Sequence, residues 1–113
     1  MPSDKGGFEQ EVLMLHNRVC YGLGDPKRVL LLYALDKGPL CVNELCEELS
    51  LPQPAVSRHL RVLRERNLVL TERRGAMVYY ALADHRVIEA LNLLRGVLAS
   101  QLAADRKFAD TMQ

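Results

Sequence analysis

The feature that most constrains this chain is a pair of short amphipathic segments separated by a proline-punctuated break. Val42, Leu45, Cys46 and Leu49 recur at i, i+3, i+4 and i+7, with Glu44, Glu47 and Glu48 on the other side. Leu51-Pro52 interrupts the pattern, and Pro54 suits the first position of a second helix running to about Arg66. In that second segment Val56, Leu60 and Leu63 form an apolar stripe, opposite Ser57, Arg58, Arg61 and Arg64. Two short helices joined by a tight turn, the second with an arginine-rich outer face, have the outline of a helix-turn-helix. Leu68–Glu72 and Met77–Leu82 then read as strands about Arg73-Arg74-Gly75, because Val78, Tyr79 and Tyr80 favour strand and Gly75 suits a turn. A hairpin directly after the second helix is a wing. The expected fold is mainly α with a small β-hairpin, a winged helix-turn-helix.

The flanks complete one domain, and 113 residues leave room for no more. Met1–Gly7 reads as a loose tail, and a helical stretch follows from Phe8 to about Tyr21, with Val12, Leu15 and Val19 at helical spacing. Gly22 and Gly24 break it. Asp25-Pro26 starts the next helix, since Asp25 can cap free amides and Pro26 lacks only an N–H that had no partner. Val29–Leu35 is nearly all apolar, which predicts burial on most sides, and Gly38-Pro39 stops it. Asp84 is placed to cap a last helix striped by Val87, Leu91, Leu94 and Leu98, in which Gly96 costs roughly 1 kcal/mol of helix propensity. The domain is expected over residues 8–103, with 104–113 as a C-terminal tail. The stripes on the first and last helices exceed what a lone small domain needs, so both are expected to pack across a two-fold axis in a homodimer.

The formal net charge is only +1, so the distribution of charge matters more than its sum. Between Gln53 and Gly75 stand Arg58, Arg61, Arg64, Arg66, Arg73 and Arg74, against Glu65 and Glu72 alone. Arginine on a helix surface is also what an ordinary solvated face carries. The apolar runs read as too short and too interrupted by charge to span a bilayer, and Met1–Gln10 has no leader pattern; no membrane partner and a cytoplasmic location are expected. His16, His59 and His85 have no catalytic context, and no nucleophile, base and oxyanion donor cluster, so no enzyme is expected. Cys20, Cys41 and Cys46 are odd in number and form no CxxC pair, which argues against a disulfide scaffold.

Four segments in order, Leu23-Gly24-Asp25-Pro26-Lys27-Arg28, Leu40 to Cys46, Gln53 to Leu60 and Leu63 to Val69, resemble the ArsR/SmtB family of metal- and thiol-responsive repressors, and most of all its arsenic-sensing members. The resemblance implies a homodimer on an imperfect inverted repeat of double-stranded DNA, released when an effector reaches the dimer. On that reading Arg58 and Arg61, with Arg64 on the same face, read guanine edges or clamp phosphates. Gln53 and Ser57 bond bases or phosphates, and His59 either joins them or packs sideways. Arg73 and Arg74 lie at the wing tip against backbone or minor groove.

Cys41 and Cys46 match two of the three cysteines of the arsenic-sensing stretch, and Asn43 stands at the middle one. Arsenite favours soft thiolate ligands. Residues five apart on a regular helix point roughly 140° away from each other, so a shared ion requires Cys41 to precede the helix proper. Cys41 lies near a helix N-terminus, a position that favours thiolate chemistry. Cys46 reads equally well as a small core hydrophobe. Cys20 is either a third ligand, from this protomer or its partner, or inert. The family's other metal site lies on the last helix, where Asp84 fits the first position but Arg86, Val97 and Ser100 hold the next ones and His85 lacks partners. No zinc is expected there. No resident cofactor is expected either, As(III) or another thiophilic ion being an effector. Alternatives are the same repressor sensing oxidants or persulfides at Cys41 and Cys46 and, more distantly, a winged helix used for protein contacts.

Overall fold

A computed structural model describes residues Lys5–Met112. Helix α1 (Lys5–Leu15) passes into a π-helical turn (His16–Cys20). Helix α2 (Pro26–Leu35), strand β1 (Leu40–Cys41), helix α3 (Val42–Leu49) and helix α4 (Gln53–Glu65) follow. Strands β2 (Val69–Arg74) and β3 (Met77–Leu82) form the hairpin, and α5 (Arg86–Thr111) closes the chain. The sheet is antiparallel with order β1-β3-β2. This is the expected winged helix-turn-helix.

Local chemistry sets the element boundaries. Asp25 is extended, and its carboxylate accepts from the Lys27 backbone N–H at 2.8 Å, with Pro26 in the first helical position. The Cys41 N–H donates to Glu44 Oε1 at 3.1 Å, which starts α3, and Ser50 ends it in the left-handed region at φ 54°. Asn67 turns the chain out of α4 with φ 61°. Gly75, at φ +64°, occupies the first of two turn positions between the paired Arg74 and Met77, where a II′ hairpin turn favours glycine.

The core sits where α2, α3 and α4 meet the sheet base and the start of α5. Leu31, Leu32, Leu45, Val56, Leu60 and Leu63 are fully buried, joined by Leu35, Leu68, Val69, Ile88 and Leu91. The stripe expected on the second helix of the pair is therefore the packed face of α4. Leu30 is the exception in the apolar run of α2, being more than half exposed.

Several expectations are corrected. Lys5–Gly7, assigned to a tail, are the first residues of α1, since no proline after Pro2 prevents the helix from extending back; residues 1–4 lie outside the described residues. Residues 104–111, also assigned to a tail, continue α5, because Ala103, Ala104, Lys107 and Ala109 are strong helix formers and no Gly or Pro intervenes. Arg73 and Arg74 belong to β2, and the turn is Gly75-Ala76. Strand β1 was not anticipated. Asp84 lies one residue before the cap position, yet its Oδ1 accepts from the Arg86 N–H at 2.9 Å. Finally, α5 is 26 residues long and holds an 18-residue stretch of mean hydropathy reaching 1.3, enough by length and composition to cross a bilayer, because no more than two charged residues interrupt that stretch. One such helix does not establish a span, since length and composition alone also admit helices of soluble proteins.

Candidate nucleic-acid interface and thiol positions

Helix α4 turns Gln53, Ser57, Arg58, Arg61 and Arg64 outward while Val56, Leu60 and Leu63 are fully buried. The outward residues form a polar, cationic ridge on a rigid helix, of the size and kind that enters a major groove. His59 is not on that ridge. It is only 6% exposed, because positions 56, 59, 60 and 63 share one helical face; of the two placements open in the sequence, the structure has the packed one. Its Nδ1 has no hydrogen-bond partner. Burial pushes the His59 imidazole below its ordinary value, the Asp25 carboxylate opposes this, and Arg28, Arg58 and Lys27 add to it.

The hairpin carries the second cationic group. Arg73 Nε donates to the Gly75 carbonyl at 3.4 Å. Arg74 pairs with Glu72 at 3.2 Å and lies 4.7 Å from the centroid of the Tyr79 ring. Both arginines are exposed.

Two further arginines prove internal to the fold. Arg28, buried, donates from Nε to the Gly22 carbonyl and from Nη2 to the Tyr21 carbonyl, each at 2.9 Å. Arg66, at the end of α4, donates to the Asn17 carbonyl at 2.7 Å and lies 4.2 Å from the Tyr21 ring centroid. The Asn17 carbonyl belongs to the π-helical turn, where the i→i+5 pattern loosens the regular ladder. Arg66 therefore ties the end of α4 to the end of the first helical stretch. Sequence reasoning counted it in the basic segment, and nothing local marked it as an anchor.

The cysteines occupy three different settings. Cys41 is buried, sits in β1, and has extended geometry immediately before α3, which meets the condition stated for a shared ion. Its backbone N–H, and then its thiol, hold the Glu44 carboxyl below the ordinary carboxylate value. Cys46 is half-buried against the core, and Cys20 is exposed. Among the described residues no group of three or more His, Cys, Asp and Glu side chains is placed to hold a metal ion. At the start of α5 Asp84 is taken by Arg86, whose Nη2 lies 2.7 Å from Oδ2; that contact, with the Arg86 backbone N–H, holds the carboxyl at about 2. His85 Nδ1 lies 3.2 Å from Asp36.

The profile described as "Bacterial regulatory protein, arsR family" matches residues 25–71, which run from the cap of α2 into β2. The crystal structure of NolR from Sinorhizobium fredii superposes with a TM-score of 0.70 at 30% identity, covering 86% of this chain and 95% of that one. The chain belongs to the arsR family. Members of this family are transcriptional regulators and not enzymes, as the sequence led us to expect. Among curated relatives of this arsR-family chain, the HTH-type transcriptional repressor SmtB of Mycobacterium tuberculosis is 37% identical over 78 residues, 69% of this chain and 58% of that protein. The arsenical resistance operon repressor of Escherichia coli is 42% identical over 64 residues, 56% of this chain and 55% of that protein. The matches thus span little more than half the length of these relatives.

Proposed function

We propose that this arsR-family protein is a homodimeric cytoplasmic repressor that binds an inverted repeat in double-stranded DNA and releases it when a thiophilic effector such as As(III) reaches Cys41 and Cys46. The observation that carries the DNA-binding part is the division of α4 between a fully buried apolar face and the exposed ridge of Gln53, Ser57, Arg58, Arg61 and Arg64. Arg73 and Arg74 extend the cationic surface onto the wing. Dimerisation is supported by α1 and α5, which expose Phe8, Leu13, Leu94, Val97, Leu98 and Leu102, each by more than half. Large apolar side chains exposed in such number mark an interaction site, and a second copy offers the same surface. The repressor role follows the named function of the SmtB relative, and the metalloid follows that of the E. coli relative.

A second reading keeps the repressor and replaces chelation by thiol chemistry, with an oxidant or persulfide acting on Cys41 or Cys46. The lack of a three-donor cluster among the described residues favours it, since a metalloid held by three thiolates would need rearrangement or the partner's ligands. In either case Arg86 occupies Asp84, so tight zinc binding is not expected on α5.

The test is DNA binding by the parent, Arg61→Ala and Cys41→Ser proteins, titrated separately with arsenite and peroxide. Arg61→Ala is expected to lose about 1–3 kcal/mol of binding with its fold intact. Cys41→Ser is expected to bind as the parent does and to stay bound when effector is added. Release of the mutant by every thiol-reactive agent that releases the parent would refute the cysteine switch. Arsenite against peroxide separates the two readings.

A further inference from the structure

We infer that Tyr79 is a positioning residue for DNA binding, its ring holding the guanidinium of Arg74 flat so that the N–H edge faces a phosphate. The inference rests on the DNA-binding reading above. Arg74 ends β2 and pairs with Met77 across the turn, whereas the Cα partner of Tyr79 is Glu72. The Arg74 side chain therefore leans back along the hairpin by two residues to reach the ring, a diagonal contact on one face of the sheet. Glu72, Arg74 and Tyr79 share that face, and Arg73 and Val78 lie on the other. The two wing arginines are thus unequal. Among the described residues Arg73 bonds to the Gly75 carbonyl of its own turn, at 3.4 Å, and Arg74 is held by a ring and a carboxylate together.

Tyr79 is a firm platform because β3 is the central strand. It faces Glu72 on one side and Cys41 of β1 on the other, and its side chain is half-buried. A guanidinium stacked on a ring turns its flat face to it and leaves the edge donors free, and the 4.7 Å between Arg74 and the Tyr79 centroid allows that stacking. In the unbound protein Glu72 takes one of those donors. That ion pair is about half exposed on both sides, so it contributes little and yields to a phosphate oxygen. The ring does not compete with phosphate and stays in place. Arg74 then presents a pre-aligned fork, which lowers the entropy lost on binding.

The experiment measures binding against salt concentration on a duplex selected from a random-sequence pool. Tyr79→Phe keeps the ring and is expected to match the parent in affinity and salt slope. Tyr79→Leu is expected to weaken binding about two- to fivefold per wing, roughly tenfold for a dimer, with a salt slope that falls to that of Arg74→Ala. The double variant Tyr79→Leu/Arg74→Ala is expected to bind no more weakly than Arg74→Ala alone. Losses that add would overturn the inference, since Tyr79 would then act through the fold. Arg74→Lys changes only an exposed side chain and serves if Tyr79→Leu melts: it keeps the charge and loses the planar stack, so weaker binding is expected and parental affinity would overturn the inference. Unchanged binding by Arg74→Ala alongside weakened Arg61→Ala would refute the wing inference alone. No effect of either would refute the DNA-binding reading itself.

Discussion

His59 brings an ionisable ring to the buried face of α4, against the N-terminus of α2, where Asp25, Lys27 and Arg28 surround it along with Arg58 of its own helix. With burial the leading cause, the folded protein holds the ring neutral to a lower pH than the unfolded chain does. The unfolded state therefore binds the proton first. Stability is complete above the ordinary imidazole value of 6.5 and is lost as pH falls below it toward the depressed folded value. Thermal midpoints measured from about pH 8 to about pH 5 are expected to fall on the acid side in the parent, and His59→Leu is expected to flatten that limb. A parent profile without it would contradict the buried neutral ring. The sequence left His59 between two placements, on the polar ridge or packed sideways, and its helical position decides for the second. Arg66 was not legible for a different reason, since its partner is a carbonyl 49 residues away in the chain.

Elements with strong local chemistry were legible, and those made by distant partners were not. The α2 start, the α3–α4 pair and the hairpin turn announce themselves through Asp25-Pro26, Pro52 and Gly75. β1 has two residues, too few to show alternation, and exists because Tyr79 and Tyr80 offer it a neighbour. The π-helical turn likewise leaves no periodic trace in the sequence; it delivers the Asn17 carbonyl to Arg66. The junction after it is closely packed. A Cβ built on Gly22 would collide with the Leu68 side chain, which is itself buried. Gly22→Ala is expected to cost about 1–3 kcal/mol, because Leu68 must move within the core. Chemical denaturation checks this, and an unchanged midpoint would show that the junction between the first helical stretch and the sheet base is loose.

At the scale of the whole molecule, the protomer is too extended to be self-sufficient. Its radius of gyration is 17.7 Å, where a compact domain of this length would have about 13 Å. The excess comes from α1 and α5, which project with apolar side chains uncovered; the sequence revealed the stripes but placed the end of α5 too early. Charging the stripe with Leu94→Glu is expected to give monomers in sedimentation at micromolar protein and to abolish operator binding in the same variant. A dimer that survives this change would move the interface elsewhere.

Cys41 caps α3 and lies in β1 at once, so one residue adjoins the neighbours of both α4 and the wing. α3 packs on α4, and β3, its strand neighbour, carries the wing. A ligand or oxidant at this thiol would disturb a helix start and a strand pair in the same event. The free-energy losses at helix and wing would then sum, and in equilibrium constants they would multiply. Two grips each loosened tenfold would give about a hundredfold release, and the two-fold axis would repeat the loss on the second half-site. On the proposed reading, the fork in the chain's architecture carries one binding event to both grips, and the effector's preference for the DNA-free state sets how large the release is.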